Sequence, residues 1–148
     1  MVRAQGNVIE DAARRVEYKA VTITAAQILA LFATPVELVP APGAGRVLEL
    51  VSVLLALDYG TVVYTIGTAG NIQVKYTDGS GAAASTTVAA TGLLDQASDQ
   101  VRVLDKLEAT TTPVVNAALV LTLATASPTG GDSPIHAKIG YRVHATGL

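Results

Sequence analysis

The stretch IHAKIGYRVHA, residues 135–145, decides the fold class. Ile135, Ala137, Ile139, Tyr141 and Val143 fall on one side of an extended chain, and His136, Lys138, Gly140, Arg142 and His144 on the other. Period-two alternation sustained over ten residues is the pattern of a strand with one buried face. Just upstream, within residues 114–126, Leu119, Leu121 and Leu123 alternate with Ala118, Val120, Thr122 and Ala124, a second strand. Two such runs need a connector, and the intervening SPTGGDSP (residues 127–134) has the Pro, Gly-Gly, Asp and Ser of a turn, so a hairpin loop is expected there.

The same texture extends towards the N-terminus. Residues 18–24 alternate as a strand, and Thr24-Ala25-Ala26-Gln27 has the form of a capping box opening one short helical turn through Leu31, broken at Thr34-Pro35. Residues 35–39 read as a strand, and 40–45 (PAPGAG) as a loop or hairpin connection. Residues 47–57, rich in Val and Leu with Glu49 the one charge, read as a central strand buried on both faces. Further strands are expected over 61–66, 72–77, 86–90 and 101–107, with Val101, Val103 and Asp105 on one side of the last and Arg102, Leu104 and Lys106 on the other. Asp78-Gly79 marks a turn, followed by a Gly/Ala/Ser-rich loop.

Eight or nine short strands with little helix predict an all-β fold, a β-sandwich or jelly-roll-like domain over residues 16–148. Residues 1–15 differ: Arg3, Glu10, Asp11, Arg14 and Arg15 lie there, and Glu10 with Arg14 and Asp11 with Arg15 are spaced to support one helical turn. A polar N-terminal arm is expected, with Glu10, Asp11, Arg14 and Arg15 the candidate contacts to a neighbouring subunit.

Composition narrows the function. Ten basic and twelve acidic residues give a net charge of −2, no footprint for nucleic acid. With no Cys there is neither a thiolate metal site nor a Cys nucleophile. No apolar run follows Met1-Val2-Arg3, so no secretory signal is expected. The uncharged run 109–131 is interrupted by Thr, Pro, Asn, Ser and Gly-Gly, so no membrane span is expected. Charged residues are only 15% of the chain and apolar ones 50%, against about 25% charged in typical soluble domains, which implies that partner subunits cover part of the surface.

No catalytic, cofactor or metal site is expected. Ser133, Asp132 and His136 are the residue types of a hydrolytic triad, but triads are assembled from separate elements, so closeness in sequence is no evidence for one. His136 and His144 stand eight apart on one strand face, about 26 Å by strand rise, too far to share an ion; both are expected to face solvent or an interface. Gly43-Ala44-Gly45 lacks the Lys and the following helix of a phosphate loop. Tyr59, Tyr64, Tyr76 and Tyr141 are scattered, with no basic interleaving, and are expected to pack their rings and leave their hydroxyls at the surface.

The run 116–123 (NAALVLTL), followed by Thr129-Gly130-Gly131-Asp132-Ser133 and by residues 135–143, resembles the C-terminal hairpin of small virion structural proteins of tailed bacteriophages. Residues 28–45, with Ala33-Thr34-Pro35-Val36-Glu37-Leu38-Val39 leading into Pro42-Gly43-Ala44-Gly45-Arg46, resemble the same class; together the two stretches cover about a third of the chain. The resemblance implies a capsid decoration or cement protein: a homotrimer on the outer surface of the virion head that bridges neighbouring major capsid protein subunits, without catalytic residues. Another virion part, such as a head-fibre base, a tail protein or a receptor- or carbohydrate-binding module, is the alternative.

Overall fold

The computed structural model describes residues 15–108 and 112–148. Eight strands, β1 (Glu17–Ile23), β2 (Val36–Val39), β3 (Arg46–Leu57), β4 (Asn71–Tyr76), β5 (Ala83–Ala89), β6 (Gln100–Asp105), β7 (Leu119–Leu123) and β8 (Ile135–Ala145), and one short helix, α1 (Ala25–Leu29), make up its regular structure. The strands form two four-stranded antiparallel sheets, sheet A in the order β1-β8-β3-β6 and sheet B in the order β2-β7-β4-β5.

This order has a simple origin. β1 pairs β8, β2 pairs β7, β3 pairs β6 and β4 pairs β5, all antiparallel, so the chain is one long nested hairpin. Rolling that hairpin brings β3 against β8 and β4 against β7 and closes two sheets, the jelly-roll form of the β-sandwich. Between the sheets, Leu48, Leu50, Val53, Leu55, Leu57, Ile135 and Ile139 meet Leu38, Ile72, Val74, Leu119, Leu121 and Leu123, all buried.

The capping box forms as expected: the Thr24 hydroxyl accepts the Gln27 amide N–H at 3.3 Å, and Gln27 Oε1 accepts the Thr24 N–H at 2.9 Å. α1 thereby turns the chain from β1 towards β2, with Ile28 and Leu31 in the core.

Several expectations are corrected. β7 and β8 lie in different sheets, so residues 124–134 are a crossover and not a hairpin loop; the hairpin partner of β8 is β1. Residues 40–45 likewise cross from sheet B to sheet A. Residues 61–66 form no strand: the isolated bridge between Thr65 and Thr129 is their one ladder-type pairing, and the amides of Thr61 and Val62 are taken by the Asp132 side chain. β3 is not buried on both faces. A register shift between Leu50 and Ser52 inserts Val51 as a bulge, so Leu48 and Leu50 point inward before it and Val53, Leu55 and Leu57 after it. The bulge erases the alternation that would have shown a half-exposed outer face. β7 is the strand that is buried throughout, its outward Thr122 lying under Gly79 of the β4–β5 turn, which also packs on Pro35.

Candidate functional site

The SPTGGDSP segment is a clasp. The carboxylate of Asp132 accepts the Thr61 N–H at 2.9 and 3.1 Å, the Val62 N–H at 2.9 Å and the Thr61 hydroxyl at 2.6 Å. The bond from the Thr61 hydroxyl first, then the two backbone amides, hold the Asp132 carboxyl below the usual carboxylate range. Ser133 is buried, its hydroxyl oxygen accepts the Gly60 N–H at 3.0 Å, and its carbonyl accepts the Tyr64 hydroxyl at 2.6 Å. Asp58 N–H to Pro134 O, Thr65 and Thr129 bonded in both directions, and Asp132 N–H to Val62 O complete a seam between two irregular segments. Buried polar groups that cannot join a ladder find their partners here.

His136 does not join Ser133. It is exposed on the outer face of sheet A, where Nδ1 stands 3.2 Å from the Thr22 hydroxyl and Nε2 3.4 Å from Asp58 Oδ2. That carboxylate–imidazole–hydroxyl row sits on open sheet. The clefts of about 500, 470 and 270 Å³ are lined by other residues. Among the described residues, no three of His, Asp and Glu gather to hold a metal ion.

A second polar cluster was not foreseen. The β3–β8 register sets Glu49 opposite Arg142 and one step from His144. Glu49 Oε2 lies 2.9 Å from His144 Nε2 and 3.3 Å from Arg142 Nη1, and Oε1 lies 3.7 Å from Lys106 Nζ. Burial pushes the Glu49 carboxyl up, but bonds from His144 and Arg142 outweigh it, and the net shift is downward. Beneath it Tyr76 donates to Leu48 O at 2.6 Å, and burial raises the phenol to about 12. Tyr64 is also pushed up to about 12, by burial first and then by the charge of Asp132. Both phenols are therefore interior hydrogen-bond anchors, contrary to the expectation of surface hydroxyls. Glu49 was visible as the lone charge of residues 47–57, but its partners depend on the bulge register, which the sequence does not display.

The outer face of sheet A carries the remaining candidate surface. Pairing aligns three outward rows from β1 to β6: Tyr18, Gly140, Ser52, Asp105; Ala20, Lys138, Leu54, Val103; and Thr22, His136, Ala56, Val101. Lys138, His136 and Thr22 make the β1 side of the second and third rows largely polar, whereas the β6 side of those two rows is apolar; the first row ends in the polar Ser52 and Asp105. Val101 and Val103 are 56% and 55% exposed, flanked by half-buried Leu54 and Ala56. The sequence placed Val101, Val103 and Asp105 on one side of β6 correctly; what it did not show was that Leu54 and Ala56 extend that side. Of the arm residues, Arg15 is exposed ahead of β1, and Glu10, Asp11 and Arg14 lie outside the described residues.

No family model and no curated protein matches the chain. Among solved structures it is similar to a chain of the cyanophage Pam1 capsid asymmetric unit, at 18% identity and a TM-score of 0.47, over 86% of this chain and 82% of that one.

Proposed function

We propose that the chain is a structural virion protein of a tailed bacteriophage that decorates the outer surface of the capsid and stabilises it by bridging major capsid protein subunits. The observation that carries this reading is the apolar β6 side of sheet A. Val101, Val103, Leu54 and Ala56 form a patch on a chain with only 15% charged residues. Apolar surface of this kind favours a permanent protein partner over free solution. The resemblance of residues 28–45 and 116–143 to small virion proteins supplies the kind of partner.

In this reading the rolled sandwich is a rigid block that associates as a homotrimer. The arm, through Glu10, Asp11, Arg14 and Arg15, reaches over a neighbouring subunit or the major capsid protein. Individually weak contacts, repeated by symmetry, add through multivalency. The protein performs no catalysis, needs no cofactor, and binds neither nucleic acid nor membrane. Ser133, the residue a hydrolase would need, has its hydroxyl oxygen committed to the Gly60 amide.

Co-sedimentation with capsids stripped of this protein tests the reading. Saturable binding is expected, lost in Val103→Asp and weakened by deletion of residues 1–15, with the far-ultraviolet spectrum of both variants unchanged. Absence of binding by the unaltered chain overturns it. Light scattering of the free protein is expected to give three times the 15.1 kDa chain mass.

A further inference from the structure

β1 is an edge strand: β8 is its sole partner in sheet A, and no described residue hydrogen-bonds along its other side. Open edges pair indiscriminately unless something prevents it, and an inward-pointing charge is one means. On β1 the inward positions are Glu17, Lys19, Val21 and Ile23, facing Tyr141, Ile139, Ala137 and Ile135 across the pair with β8. Glu17 and Lys19 are exposed although they point towards the sandwich interior, so the mouth of the sandwich at this edge is charged. An apolar strand added here would strand both charges against its side chains.

One occupant escapes that penalty. When β1 pairs antiparallel with β1 of a second copy about a twofold axis through Tyr18, each Glu17 falls directly opposite the Lys19 of the other chain. Two opposite-charge cross-strand pairs form at once. Such pairs are favourable and like charges in the same places are not. Shifting the axis to Lys19 sets lysine against lysine, and shifting it to Ala20 sets both charges against Val21 and Ile23. Among the described residues the approach is sterically open: the Tyr18 ring, 78% exposed, leans away from the edge over Gly140, where an added Cβ would lie 3.2 Å from Tyr18 Cε1. We propose that β1 is a self-recognition edge, pairing with β1 of a second copy in the register Glu17–Lys19, Tyr18–Tyr18, Lys19–Glu17 and joining two A sheets into one of eight strands.

This contact lies at the opposite edge of sheet A from the apolar β6 side, so it leaves the proposed capsid-facing patch free. It builds on the reading of the chain as a self-assembling protein only for its use, which would be to link neighbouring trimers. The chain contains no Cys, which makes disulfide trapping clean. Under mild oxidation of the full-length protein, Tyr18→Cys is expected to yield an interchain disulfide, since directly opposite residues lie near disulfide reach. Ala20→Cys alone should stay monomeric on a denaturing gel, yet cross-link when mixed with Val16→Cys, its partner in this register. Adding Lys19→Glu to Tyr18→Cys should slow trapping about tenfold, and Glu17→Lys with Lys19→Glu together should restore it. Absence of the Tyr18→Cys disulfide, equal trapping of Ala20→Cys alone, or failure of the double charge swap to rescue overturns the proposal. None of these readouts uses a capsid, so their failure is separable from failure of capsid binding.

Discussion

The hydroxyl of Tyr64 donates to the carbonyl oxygen of Ser133 at 2.6 Å, across the seam that ties residues 58–65 to residues 129–134. The ring of the same tyrosine occupies the space where Gly131 would carry a Cβ, and Gly131 itself has φ +87°. One aromatic side chain thus fixes both the polar and the steric condition of the clasp.

Two substitutions separate those conditions. Tyr64→Phe keeps the packing and leaves the buried Ser133 carbonyl without its donor, an expected loss of about 1–3 kcal/mol. Gly131→Ala keeps the hydrogen bond in principle but forces a side chain into the ring at a backbone angle that L residues avoid. Strain of this kind costs on the order of 1–3 kcal/mol before the clash is counted. Urea denaturation is expected to rank Gly131→Ala below Tyr64→Phe, and both below the unaltered chain. Equal stability of all three would show that the seam adds nothing to the fold.

Acid should loosen the molecule at two carboxylates. Asp132 and Glu49 both have folded pKa values held below their ordinary ones, so the folded state favours the ionised form. Their contribution is fully present above the ordinary carboxylate value near 4 and is lost as pH falls through the lower folded value. Stability measured from pH 6 to 2.5 should be flat at first and then decline. Asp132→Asn and Glu49→Gln should each be less stable at pH 6 and show a shallower acid decline. Because Asp132 and Glu49 are at least partly in contact with water, added salt should reduce the difference at Glu49, whose partners are charged, more than at Asp132, whose partners are amides and a hydroxyl.

The fold class was legible where alternation survived. β8 shows it over its whole length, and the Thr24–Gln27 box announced α1 because its chemistry is local. Alternation failed in β3, where the bulge at Val51 changes the inward parity, and in β7, where Gly79 and Pro35 cover the outer face. Those features arise from segments distant in sequence. The error over residues 61–66 has the same source: THR-VAL-VAL-TYR-THR-ILE has strand composition, but Asp132 competes successfully for its first amides. For the same reason SPTGGDSP looked like a hairpin. Its Gly and Pro residues do mark a change of direction, but which sheet the chain enters next is set by the nesting of β1 with β8, and that pairing spans nearly the whole chain.

Ser85 tests how sheet B tolerates its own irregularity. The β4–β5 register shifts between Gln73 and Lys75, which leaves the Val74 N–H without a ladder partner on β5. The buried Ser85 hydroxyl fills that place, accepting from Val74 N–H at 2.9 Å and donating to Thr86 O at 2.7 Å, and Gln73 Nε2 bonds the Ser85 carbonyl at 2.9 Å. Ser85→Ala removes one oxygen and strands a buried amide, an expected loss of about 1–3 kcal/mol. Gln73→Ala, at a half-buried position where water can replace the amide, should cost less. Hydrogen exchange at Val74 is the direct readout: its amide should be among the slowly exchanging ones in the unaltered chain and should accelerate selectively in Ser85→Ala. Unchanged protection at Val74 would mean that the strand re-registers and closes the bulge, and that the side chain is not what satisfies the amide.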